Sequence, residues 1–210
     1  MTVAAWAIIG YVAGSFPSAW LVGLAAGKRS VLARVQRNIG EADAHVLLSE
    51  SGGGAATVAA VLDVVKGFGP VLAAGRVATP YAVAACAVGA VAGHCWPPLL
   101  GRYAGRGLAA GAGAFLGFLP VEMAIAGVVR VLGSVVRAGG LASTIGYLSI
   151  PVVAALRGQP KPYVVAAAAI NGLIFVRRIE GVGVDLDAGA SLARAVVRRT
   201  LLDASEGRGD

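Results

Sequence analysis

Apolar residues occur in long blocks, at residues 3–26, 52–75, 80–100, 107–137, 141–156 and 163–176, and polar residues crowd into the breaks between them. Blocks near or above the roughly 18–20 apolar residues that cross a bilayer predict membrane spans. A chain in lipid must satisfy its own backbone groups, so helices are expected. The block at 107–137 is long for one span and is interrupted by Pro120. Charge arbitrates there. If the loop carrying Lys28, Arg29, Arg34 and Arg37 faces the cytoplasm, two segments before Arg137 keep the arginine-rich C-terminal tail on the same side, and one segment exports it. The prediction is an all-α polytopic membrane helix bundle of about seven transmembrane segments, the fourth too short to cross unless tilted or re-entrant. Residues 1–178 make up the membrane domain and residues 179–210 a polar cytoplasmic tail. Within that tail, residues 190–202 interleave arginine with leucine and valine, as a short surface helix does.

Composition sharpens this picture. Of 210 residues, 57% are hydrophobic and only 14% charged, against about 25% charged in a soluble domain. The 31 glycines suit close helix packing in lipid. A net charge of +7 invites a nucleic-acid reading, but the basic residues sit in short breaks between apolar blocks, where they set topology and attract anionic lipid. No nucleic-acid partner is expected. Cys86 and Cys95 share one apolar block, so neither a disulfide framework nor a zinc site is implied. His45 among Glu41, Asp43 and Glu50 is a solvated loop residue rather than a metal ligand, and no metal or cofactor is expected. The N-terminus lacks a basic n-region, so a cleaved leader is not expected.

Candidate chemistry concentrates in residues 93–107, GHCWPPLLGRYAGRG. Two prolines end an apolar block and two arginines, Arg102 and Arg106, follow among glycines. Glycine lets backbone N–H groups approach an anion, and guanidinium supplies fork-shaped donors. That pattern reads as a phosphate or carboxylate site built on Arg102, Gly105, Arg106 and Gly107, or as a basic turn that only sets topology. His94 closes the preceding block, either as an interfacial residue or as part of the same site. Asp63 and Lys66 lie three residues apart inside a span, where helical neighbours neutralise each other at depth; they are a functional pair or a buried structural one. Ser15 and Ser18 flank Pro17 in GSFPSAW, a break that is a kink or a Ser-lined opening. Asn171, in mid-span, is placed to bond a neighbouring helix.

The order of these stretches resembles the bacterial acyl-phosphate:glycerol-3-phosphate acyltransferases, small polytopic enzymes of phospholipid synthesis. GSFPSAWLVG (14–23) looks like that family's Gly-Ser-x-Pro motif, and LDVVKGFGPV (62–71) like its Leu-Asp-x-x-Lys-Gly segment. GHCWPPLLGRYAGRGLAAGAG (93–113) resembles its Gly-His-x-x-Pro and glycine-rich phosphate loop, and LASTIGYLSIPV (141–152) its Ser-containing region. The likeness spans roughly residues 10–181. It implies acyl transfer from an acyl phosphate to the 1-hydroxyl of glycerol 3-phosphate, giving lysophosphatidate in the bacterial plasma membrane. Site loops and tail would face the cytoplasm, membrane lipids would surround the bundle, and no cofactor would be needed. An acyl phosphate is already activated, so holding two phosphates and positioning a hydroxyl would suffice. Arg102, Gly105, Arg106 and Gly107 would bind phosphate, joined by Gly40; His94 and Ser15 would act in catalysis, and Asp63 and Lys66 would orient helices.

The chain also departs from that pattern. The family's GSGNxGATNxxR loop falls on residues 38–49, where only Gly40 and Ala44 match and Glu41, Asp43 and His45 replace neutral residues. Arginines stand where the family has lysines, and of the His-Arg-x-Asn-Ile-x-Arg pattern, on residues 171–177, Arg177 is retained. A non-catalytic relative binding lipid or a membrane partner is therefore an alternative. A small-solute transporter is another, suggested by broken helices and an intramembrane ion pair, though no internal repeat is visible.

Overall fold

The computed structural model describes residues 1–27, 53–98, 105–187, 189–197 and 199, and every regular element among them is a helix. In chain order these are α1 (Val3–Gly14), α2 (Ser18–Ala25), α3 (Gly53–Val77), α4 (Pro80–Cys95), α5 (Leu108–Phe118), α6 (Pro120–Val135), α7 (Gly139–Leu156), α8 (Lys161–Asp187) and α9 (Leu192–Val196). Among the described residues, four stretches are long and apolar enough to cross a membrane: Val3–Ala25, taken through the α1–α2 break, Gly54–Val77, Gly139–Leu156 and Lys161–Gly183. α4 and α5 are shorter apolar helices.

Local chemistry sets the boundaries. Thr2 caps α1, its hydroxyl accepting from the Ala5 N–H at 3.2 Å. Pro17 brings no N–H and separates α1 from α2. Ser15 bonds back to the Tyr11 carbonyl at 2.7 Å and bridges the break. Pro80 and Pro120 occupy first turns, at the position where a missing N–H costs nothing. The long 107–137 block thus divides at Leu119 into α5 and α6, as the charge argument requires. At 11 residues, α5 is about 16 Å long, half the hydrocarbon thickness. α4 stops at Cys95, before Pro97, rather than at residue 100.

The last span differs from expectation. α8 runs 27 residues, to Asp187, and the boundary expected after residue 178 falls inside it. Arg177 and Arg178, just past the last apolar block and the last residues of the expected membrane domain, are both buried. The helix continues because both find partners within the protein.

Two glycine-mediated contacts organise the bundle, and they pair helices that are not neighbours in sequence. α1 lies along α4 and α3 along α5. A Cβ placed on Gly10 or Gly14 of α1 would meet the backbone of Cys86 or Ala90, and one on Gly89 or Gly93 of α4 would meet that of Ala7 or Tyr11. Gly67 and Gly113 stand in the same relation between α3 and α5. Without a hydrophobic force between helices in lipid, such close approach supplies the dispersion energy of association. The core that results is small-chained, with Phe115, Leu119, Ile150 and Ile170 as its largest fully buried apolar residues. Asn171 donates to the Tyr147 carbonyl at 2.7 Å and links α8 to α7.

Candidate functional site

The break between α1 and α2 opens a cleft at the end of the bundle where α4 stops and α5 starts. Its lining includes Ser15, Phe16, Pro17 and Ser18 from the break, Asp63 and Lys66 from α3, His94 from α4, and Gly105. Its free volume is about 10 Å³, room for about one water.

Asp63 is the hub of this cleft. Its carboxylate is 1% exposed. Oδ1 accepts from the Ser18 hydroxyl, pairs with Lys66 Nζ at 2.8 Å, and lies 3.6 Å from His94 Nδ1. Oδ2 has no hydrogen-bond partner among the described residues. Lys66 also donates to the Phe16 carbonyl at 2.8 Å and to the Ser18 hydroxyl at 3.2 Å. The Phe16 carbonyl at the break thus accepts from the ammonium as well as from the Ser18 N–H at 3.0 Å, which ties α3 to the break. The expected i,i+3 pair is present, and it is tied to the helix break rather than isolated in α3.

His94 is buried between Asp63 and the loop that enters α5. Its other face packs on Gly105, where an added Cβ would strike the imidazole. Gly107 has a left-handed φ of 90° and caps α5, a conformation that glycine adopts without strain. A side chain there would also press on Cys95 Sγ. Arg106 is buried between the two glycines.

Arg177 fixes this loop from α8. It is 2% exposed, its Nε donates to the Gly105 carbonyl at 3.3 Å, and it pairs with Glu180 at 2.5 Å. Its guanidinium lies over the Trp96 ring, whose Nε1 donates to Glu180 at 3.2 Å. Nearby, Arg178 donates to Thr144 Oγ1 at 3.0 Å.

Of the site residues expected from sequence, the structure therefore brings Ser15, His94, Gly105, Asp63 and Lys66 into one cleft. Arg106 and Gly107 follow directly in the chain, buried. Arg102 and Gly40 lie outside the described residues, as do residues 28–52 with Glu41, Asp43 and His45. Sequence reasoning gave Ser18 a place in a kink or a Ser-lined opening without a carboxylate partner, and gave Arg177, at the end of the membrane domain, no site role of its own. The signal for Arg177 was its retention in the family-like pattern; for Ser18 it was the place beside Pro17.

Comparison with known proteins gives a consistent result. Residues 4–183 match the family model described as "Glycerol-3-phosphate acyltransferase". A "Glycerol-3-phosphate acyltransferase" of Rubrobacter xylanophilus is 34% identical over 195 residues, covering 92% of this chain and 90% of that protein. Another so named, from Parasynechococcus marenigrum, is 31% identical over 173 residues, covering 80% and 79%. Among solved structures, the chain superposes on PlsY (YgiH), an integral membrane glycerol 3-phosphate acyltransferase, in its lysophosphatidic acid form. The TM-score is 0.75 at 22% identity, over 91% of this chain and 95% of that one. The glycerol 3-phosphate form gives 0.73 at 23% identity, with the same coverage. At these identities the structural likeness speaks to fold.

Proposed function

The chain belongs to the glycerol-3-phosphate acyltransferase family and is a multi-pass membrane protein, and on that footing we propose that it moves a fatty acyl group from an acyl phosphate to the 1-hydroxyl of glycerol 3-phosphate. The observation that carries this reading is the meeting of Asp63, His94 and the Gly105–Gly107 loop in one buried corner.

The roles follow from that corner. Arg106, with the N–H groups of Gly105 and Gly107, holds phosphate, and Arg102 adds a second guanidinium from the same loop. The glycerol hydroxyl attacks the acyl carbonyl carbon and its proton passes to His94, the general base. The tetrahedral intermediate collapses, its bond to the phosphate oxygen breaks, and inorganic phosphate leaves. Asp63, beside Nδ1, favours the imidazolium that forms. Lys66 pairs with Asp63 and holds the helix break, which lets Ser15 border the acceptor hydroxyl. The acyl chain stays among apolar helices.

The site loops and C-terminal tail face the cytoplasm of a bacterial cell, with the positive-inside bias as support. A non-catalytic relative is the second reading, favoured by the carboxylates at Glu41 and Asp43 in the region where the family's loop is neutral. One assay separates the two: purified protein, radiolabelled glycerol 3-phosphate and palmitoyl phosphate, with lysophosphatidate as readout. Wild-type product that falls sharply in Arg106→Gln supports the enzyme. No product from folded protein, beside an active relative as control, sinks it.

A further inference from the structure

On the opposite half of the bundle, α1, α4 and α8 enclose an apolar groove of about 730 Å³. Its walls come from small and branched residues, Ala85 and Val88 on α4 and Val165 and Ala169 on α8. Along α4 it extends from Tyr81 to Gly89, about 12 Å of helix. One end is polar: Lys161 and Tyr81 sit at the first turns of α8 and α4, both exposed. The other end reaches Tyr11, whose hydroxyl is taken up by the Trp96 carbonyl at 2.7 Å. Among the described residues, no carboxylate lines the groove.

The groove points away from the cleft. Tyr81 and His94 stand at opposite ends of α4, about 20 Å apart at the helical rise. Its mouth thus lies at the membrane surface remote from the site, and its floor near mid-membrane. A substrate whose phosphate sits at Arg106 would meet neither Lys161 nor Tyr81. The geometry points to a different occupant: an anionic phospholipid of the leaflet opposite the site, with one acyl chain in the groove and its phosphate at Lys161 and Tyr81. The ammonium supplies the complementary charge, the phenol a hydrogen bond at the depth where aromatic residues favour the headgroup region. α4 and α8 are in direct contact, and the small side chains of both leave the apolar hollow beside that contact. The site is for a bound structural lipid and does not rest on the acyltransferase reading.

Native mass spectrometry of the detergent-solubilised full chain tests this, using phosphatidylglycerol and phosphatidylcholine of identical acyl chains. Wild type should retain one phosphatidylglycerol with a preference of about fivefold, the size one lysine near a lipid surface gives. Lys161→Gln should keep a lipid and lose the preference. Ala85→Phe with Ala169→Phe should lose the lipid altogether, with acyl transfer or thermal melting reporting that the protein is folded. Equal retention of the two lipids by wild type overturns the proposal, as does a preference that survives Lys161→Gln. Stoichiometric displacement of the lipid by palmitoyl phosphate, or cross-linking of a second copy through Ala169→Cys, would equally assign the groove to another occupant.

Discussion

Asp63 and Glu122 are two carboxylates with nearly the same credentials. Each is 1% exposed inside an apolar bundle, and each has one oxygen without a hydrogen-bond partner among the described residues. Their surroundings differ. Glu122, at the start of α6, takes Arg157 at 2.8 Å and Gln159 at 3.0 Å on one oxygen. Both donors come from the turn between α7 and α8, and the Arg157 side chain is 41% exposed. Asp63 collects Ser18, Lys66 and the neighbourhood of His94 from three separate helices, beside a glycine loop and a cleft. Burial of a charge is therefore not what marks a site in this protein. Glu122 staples a helix end to a turn; Asp63 joins a helix break, a histidine and a glycine-rich loop.

Breaking the comparison on the Asp63 side should have the largest effect. His94→Ala should reduce acyl transfer by about 10²–10⁴-fold, the usual worth of a general base, with the protein still monodisperse on size exclusion. Unchanged turnover would move the chemistry elsewhere. Asp63→Asn should fall nearly as far, and because Lys66 would then be left buried and uncompensated, folding should weaken as well, by about 3–5 kcal/mol. A thermal melt beside the assay separates the two losses. Gly105→Ala forces the loop off the imidazole and should cost about tenfold to a hundredfold, the scale of an ångström of misplacement; wild-type kinetics would mean that His94 does not work against this loop.

Smaller effects sharpen the contrast. Arg177→Lys keeps the charge but loses the fork that joins Gly105 to Glu180. A drop of about tenfold in kcat with KM little changed fits loop positioning, and a loss carried by KM alone would make Arg177 a phosphate ligand instead. Glu122→Gln should leave the rate alone and lower stability by about 1–2 kcal/mol, less than Asp63→Asn because Arg157 can turn to water. Lost activity in that variant, at normal stability, would erase the distinction between the two carboxylates.

Much of this was legible in the sequence because it is local or periodic. Block lengths and basic breaks gave the all-helical membrane bundle and the division at Pro120, and three-residue spacing gave the Asp63–Lys66 pair. What escaped depends on contacts between distant helices. Ser18 reaches Asp63 across 45 residues of chain, and nothing in its own segment points to a carboxylate. Arg177 and Arg178 follow the last apolar block, where composition alone gives no reason for burial; Gly105 and Thr144, from distant segments, and Glu180, one turn on in α8, are among the partners that make it tolerable. Glu122 was passed over for the same reason, its partners lying 35 and 37 residues downstream.

The interleaved glycine contacts bear on how the protein is made. Gly10 of α1 finds its seat against α4 only after 80 more residues, to Ala90, have been polymerised, an interval of about 4–16 s at ribosomal speeds of 5–20 residues per second. Through that interval α1 waits in the bilayer with its notched face bare, while α3 enters and in turn waits for α5. The two pairs close like clasped hands, the first not before α4 ends at Cys95 and the second not before α5 ends at Phe118. Any Gly→Ala change on these faces would leave each helix able to insert and the clasp unable to shut, so its mark in the cell would be rapid removal by membrane proteases during synthesis, rather than a slow enzyme.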